Sequence, residues 1–167
     1  MDRLFRAVAV LVIVAAHSAC TGRAAAPLAH TFASPEALAA AVAEGLERRD
    51  TDGLLSLALS EEEFRAHVWP HLPASRAERG VPFGLVWGQL YAKSRAYLQQ
   101  TLVEFGGRRP EIVEVRFRGD VSNYGRIQVR RDAEVVVRDE GRQRTVRLFG
   151  SVIARDGRYK LFSYVAD

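Results

Sequence analysis

The spacing of apolar residues changes character along this chain. Residues 7–16 (AVAVLVIVAA) are apolar without a break. From residue 34 to 105 apolar side chains recur at helical intervals, and after Pro110 they alternate with polar ones at a period of two. A first helix is predicted from Ser34, with Ser34 suited to the N-cap, Pro35 to the first turn and Glu36 to the positive helix end. Leu38, Ala41, Val42, Gly45 and Leu46 give it one narrow apolar face, and Arg48 and Arg49 fall where cations are favoured. Asp52 is expected to cap a short second helix carrying Leu54, Leu55, Leu57, Ala58 and Leu59. Ser60 and Glu63 match a capping box, and Phe64 and Val68 continue a helix that must end near Trp69 because Pro70 follows. Residues 71–82 read as a loop. A long helix is predicted over 83–105, stopped by Gly106 and Gly107.

In the second half, Val113, Val115 and Phe117 alternate with Glu114, Arg116 and Arg118, and Ile127 and Val129 alternate with Arg126, Gln128 and Arg130. Val135 and Val137 follow, then an Asp139-Glu140-Gly141 turn. Val146, Leu148, Val152 and Ala154 read as one long strand face, and Asp156-Gly157 is a strong hairpin signal before Tyr159, Leu161, Ser163 and Val165. The pattern is that of an antiparallel meander, apolar on one face and Arg-rich on the other. The expected fold is α+β, with three N-terminal helices packed on a curved antiparallel sheet of about four strands. A long helix laid on a curved sheet leaves a conical hollow at one end.

The apolar run at 7–16 is shorter than the roughly 20 residues a spanning helix needs, and it follows Asp2, Arg3 and Arg6. It reads as an export signal. It leads into His17-Ser18-Ala19-Cys20, and Cys20 is the single cysteine of the chain. This stretch resembles the lipobox of bacterial lipoproteins, departing from it at His17, where the family has an aliphatic residue. The resemblance implies lipid attachment at Cys20, a membrane anchor and a place in the cell envelope. Thr21 in place of Asp implies the outer membrane, facing the periplasm, where the source has two membranes. The expected organisation is a signal peptide over 1–19, a flexible tether over 20–33 (rich in Ala, with Pro27) and a single domain over 34–167.

Composition narrows the class without naming an activity. A hydrophobic share of 48% with 26% charged is ordinary for a folded globular chain. The net charge is +4 and unevenly spread: Arg and Lys number 8 against 10 acids over 20–107, but 14 against 9 from residue 108 onward. A solvated sheet surface accounts for this, with an anionic lipid, glycan or acidic partner as the sharper alternative. No nucleic-acid recognition motif is present, and nucleic acid is not expected as a partner.

The order of elements, with Leu59 to Phe64, Val68-Trp69-Pro70, Trp87 on the long helix and the closing Gly157 to Leu161 strand, is similar to uncharacterised bacterial lipoproteins with a nuclear transport factor 2-like (cystatin-like) cone domain. That superfamily includes isomerases, dehydratases, ligand binders and assembly modules, so the resemblance implies a fold and not an activity. His67 and His71 are four apart and could meet a metal, but Pro70 lies between them, and neither metal nor other cofactor is expected. An isomerase-like site needs an inward carboxylate and a hydroxyl. Tyr91, Tyr97 and Tyr124 offer hydroxyls, while Asp120, Asp132 and Glu134 fall on the polar face or at strand ends. Trp69, Trp87, Tyr91 and Tyr124 are the candidate pocket. The leading expectation is a non-enzymatic envelope lipoprotein that binds a small apolar ligand or an envelope protein. The alternative is a ketosteroid-isomerase-like enzyme, and a homodimeric scaffold is a third. An inward ionisable pair in the hollow would favour the enzyme, an all-apolar pocket the binder.

Overall fold

A computed structural model describes residues 27–139 and 141–165. The signal segment and Cys20 lie outside the described residues. Helix α1 spans Pro35–Arg48, with the Ser34 hydroxyl accepting from the Ala37 amide. Helix α2 spans Thr51–Leu57 and α3 spans Glu61–His67. A 3-10 turn, Trp69–His71, leads into the expected loop, and two more, Pro73–Ser75 and Ala77–Arg79, lie within it. Helix α4 runs from Phe83 to Phe105 and stops at Gly106.

Among the described residues seven strands follow: β1 Glu111–Phe117, β2 Val121–Tyr124, β3 Ile127–Arg130, β4 Ala133–Asp139, β5 Arg142–Val146, β6 Ser151–Arg155 and β7 Arg158–Ser163. They form two antiparallel sheets, ordered β1-β4-β5 and β2-β3-β6-β7. The protein is therefore α+β, with helices first and strands after.

Three expectations change. Among the described residues the α-helices number four, because Ala58 is extended (ψ 165°) and separates α2 from α3. Its backbone leaves the helix to bridge Leu161 in parallel. The cap of α2 is Asp50, which accepts from the Gly53 amide, and Asp52 lies inside the helix. The single sheet of about four strands is two sheets, since the expected long strand over 146–154 breaks between β5 and β6. Leu148 and Phe149 are consecutive and both buried, so the chain there passes between layers and cannot alternate. The Asp156-Gly157 hairpin forms with both residues at positive φ, 49° and 72°, as a primed turn requires.

Two apolar clusters make the interior. The first joins α1, Leu54 of α2 and the C-terminal half of α4 to β1, β4, Val152 and Leu161. The second joins α3 and the N-terminal half of α4 to Ile127, Val129 and Ile153. Sheet β2-β3-β6-β7 thus has cover on both faces at β6 and β7. Tyr164 ties the first cluster together: its hydroxyl donates to Leu54 O at 2.7 Å, and its amide donates to Ser94 Oγ at 3.0 Å. Burial pushes that hydroxyl's pKa far up, so it stays a donor.

Two glycines give a paired prediction. A Cβ on Gly45 would sit 2.7 Å from Leu54 Cδ2 and 2.8 Å from its Cγ, beside a fully buried side chain. A Cβ on Gly88, mid-α4, would meet nothing within 4 Å. Gly45→Ala is expected to lower unfolding free energy by about 1–3 kcal/mol through overpacking. Gly88→Ala is expected to raise it by about 0.5–1 kcal/mol through helix propensity. Urea melts of the two variants check both signs.

Candidate functional site

Strand β7 carries Lys160 in the row Val129–Ile153–Lys160, on the face that α3 covers. Its side chain is 1% exposed. An ammonium there needs partners, and two distant segments supply them. Lys160 Nζ donates to Ala29 O at 2.9 Å and lies 3.3 Å from Glu63 Oε2. Glu63 is 11% exposed and sits in the first turn of α3.

The capping box delivers Glu63 to this place. Ser60 Oγ accepts from the Glu63 amide, and Glu63 Oε2 accepts from the Ser60 amide at 2.9 Å. Glu63 Oε1 accepts from the Ala29 amide at 2.8 Å. Both carboxylate oxygens are therefore committed. Burial raises the Glu63 pKa, but the Ser60 and Ala29 amides and the Lys160 charge outweigh it, leaving it below the usual value. Burial draws the Lys160 pKa down, only partly offset by Glu63.

Ala29 belongs to the stretch composition assigned to the tether. Residues 27–32 are laid along the domain as a strap: Leu28 packs on the second cluster and Phe32 pairs antiparallel with Tyr159. Arg158 fastens the same strap through Thr31, donating to its carbonyl at 2.6 Å and to its hydroxyl at 3.2 Å.

Beside the pair opens a groove of about 800 Å³. The strap (Pro27, Ala29, His30) forms part of its rim, and the α2–α3 link, α3, α4 and Lys160 form its walls. Leu55, Ala58, Leu59, Ala66, Trp87 and Tyr91 make most of the lining apolar. The Trp87 and Tyr91 rings stack at 5.8 Å and 25°. Trp87 also leans on Phe64 at 5.5 Å, which fixes the ring that faces the groove.

Of the four aromatic residues picked from the sequence, Trp87 and Tyr91 line this groove together. Trp69 lies elsewhere, edge-on to Phe83 at 5.4 Å, and Tyr124 packs half-buried on the second cluster from β2. His67 lines the groove and is buried, with Nδ1 3.3 Å from Arg155 Nη1. His71 is exposed and lies under Gly125 at the β2–β3 turn. The two histidines thus pack against different parts of the sheet. Among the described residues no group of three or more His, Cys, Asp or Glu side chains gathers to hold a metal ion.

Sequence reasoning missed the Glu63–Lys160 pair. Alternation placed Tyr159 and Leu161 inward, which turned Lys160 out, whereas β7 is covered on both faces. One signal was present: Lys160 is the sole lysine among the basic residues after 107, flanked by Tyr159, Leu161 and Phe162.

No protein-family model matches the chain, and no curated protein and no solved structure matches it. The groove is therefore read from its own chemistry.

Removing one member of a buried ion pair strands the other. Lys160→Met is expected to cost about 3 kcal/mol of unfolding free energy and to speed hydrogen exchange at the Ala29 amide. Glu63 has a folded pKa below its unfolded value of 4.5. Its contribution is present above that value and is lost as pH falls through the lower folded one. Urea melts between pH 7 and pH 3 should show this acid loss, and Glu63→Gln should flatten it.

Proposed function

We propose that the protein is an exported envelope lipoprotein, anchored through Cys20, whose domain is a non-enzymatic module binding a small apolar ligand. The groove beside α3 carries this reading: apolar walls, a stacked Trp87–Tyr91 pair and a volume within the range of ligand sites. The helix-then-strand order is also compatible with a nuclear transport factor 2-like cone, and we adopt that as the finer description of the fold.

An inward ionisable pair does exist, which the sequence criterion would count towards an enzyme. Its wiring argues otherwise. A general base near neutral pH needs a raised carboxyl pKa and a lone pair turned to the substrate. The Glu63 pKa moves down, and its oxygens already take two backbone amides and the Lys160 ammonium. The pair supports the wall of the site and holds the strap.

Two measurements test the proposal. Cys20→Ser should move the protein from the membrane fraction to the soluble fraction, and the mature wild-type chain should carry a diacylglycerol-sized mass increment. Native mass spectrometry of gently purified protein should show a further apolar adduct that disappears on denaturation. Ala66→Trp, which fills the groove from an exposed position of α3, should abolish that adduct without lowering the melting temperature. A clean apo mass in the wild type, with no probe binding in the groove, overturns the ligand reading.

A further inference from the structure

We propose that the groove takes a single-chain lipid amphiphile from the membrane leaflet facing the protein, with its acyl chain along the apolar wall and an ammonium-bearing, net-neutral headgroup at the rim. This rests on the reading of Cys20 as the lipid anchor and deepens it by naming the ligand class.

The first observation is where the described chain begins. Pro27, Ala29 and His30 are rim residues of the groove. Pro27 is seven residue steps from Cys20, and a fully extended chain covers at most about 3.6 Å per step. The rim thus stays within roughly 25 Å of the anchored cysteine. The strap cannot drift away from the groove, because Ala29 is bonded through both its amide and its carbonyl to the Glu63–Lys160 pair. Anchoring the chain therefore holds this mouth, and not the far end of the sheets, close to the leaflet.

The second observation is the charge of the lining. Glu61, Glu62 and Glu63 stand against Lys160, the one Lys or Arg of the lining, which Glu63 and Ala29 already engage, and Glu61 itself pairs with Arg65 at 2.9 Å outside the lining. An anionic head placed there meets two further carboxylates. A primary or quaternary ammonium there is matched by those carboxylates, while the Trp87 and Tyr91 rings, already engaged by Phe64, by each other and by Arg95, serve as apolar wall. The apolar walls suit an alkyl chain. The protein's own acyl chains carry the same chemistry, but withdrawing one from the bilayer would weaken the anchor that holds the mouth in place. A free lysophospholipid carries no such penalty.

The test uses the lipidated mature chain in phosphatidylethanolamine–phosphatidylglycerol nanodiscs, with lysophosphatidylethanolamine bearing a diazirine in its acyl chain. Photolysis should label the 55–66 and 87–91 segments. Lysophosphatidylglycerol of the same chain should need at least ten times the concentration, and Ala66→Trp should remove the labelling. The Cys20→Ser mature chain should still be labelled, at about ten- to a hundredfold higher probe, because anchoring raises effective concentration. Labelling of Cys20→Ser with none of the lipidated protein would mean that its own chain fills the groove, and would overturn the proposal. Equal labelling by both headgroups would overturn it too. The uncharged dye N-phenyl-1-naphthylamine separates the two levels of the reading. If it binds Cys20→Ser and Ala66→Trp blocks it while no lysolipid labels, the lipid assignment falls and the apolar-ligand reading stands. If neither binds, both fall.

Discussion

An ammonium buried inside a β-sheet has few ways to be tolerated, and the arrangement around the groove follows from the one adopted here. Lys160 lies between Tyr159 and Leu161 on β7 and beside the fully buried Ile153 of β6, where an unpaired charge would be untenable. Its carboxylate partner must come from the layer above, and α3 supplies it at the one helical position where a glutamate already has a backbone task. Its carbonyl partner must come from a segment with no ladder to satisfy, and the strap supplies it. Residues 29, 60–63 and 160 are thereby bound to one point, although 131 residues separate Ala29 from Lys160. The pair contributes less as net attraction than as a constraint: any displacement of strap, helix or strand leaves a charge unsatisfied.

The groove exists because the two apolar clusters do not meet on this side of the molecule. Leu55 and Ala58 pack at the edge of the first cluster, while Leu59 and Trp87 belong to the second. Helix α4 is long enough to serve both, its N-terminal half packing on the second cluster and its C-terminal half on the first. The extended Ala58 lets α2 end against one cluster and α3 begin against the other, bridging Leu161 on the way. The seam is lined by what each cluster leaves uncovered, which is mostly apolar. Buried charge at one wall and aromatic stacking at the other keep it from collapsing.

Local signals survived the step from sequence to structure well. The Ser34 cap, the Ser60–Glu63 box, the 83–105 helix and the Asp156-Gly157 turn are each set by a few adjacent residues, and each appears where those residues stand. What failed was whatever depends on which faces are covered. Periodicity reports an alternation but assumes one buried side, so β7 was read with Lys160 outward. The Leu148–Phe149 step was absorbed into a strand because two adjacent apolar residues look the same in a strand and in a passage between layers. Asp50 and Asp52 are chemically equal as caps, and the backbone chose the one whose carboxylate reaches Gly53. The candidate site was half visible: Trp87 and Tyr91 share a helix turn and so a wall, whereas Trp69 and Tyr124 were grouped with them by residue type alone.

The arginine-rich half reads differently once its neighbours are known. Arg116 pairs with Glu114, Arg118 with Glu134, Arg138 with Glu111 and Arg144 with Asp139 on the three-stranded sheet or its margins. Arg126 and Arg155 share Asp156 at the β6–β7 turn. These pairs are solvent-exposed or half-exposed, and each contributes at most about 1 kcal/mol. Their value lies in what they prevent. Among the described residues β1, β5, β2 and β7 end their sheets, β7 carrying only isolated bridges to Phe32 and Ala58, and β5 offers Arg142 and Arg144 along its edge. Charged edges resist pairing with a second chain. Exposed charges exert little pull on a polyanion beyond the screening distance of salt. The excess of arginine is better explained by protection of open sheet edges than by recognition of a glycan or an anionic bilayer, and the groove beside α3, where the lining is acidic and apolar, remains the part of the surface whose chemistry calls for a ligand.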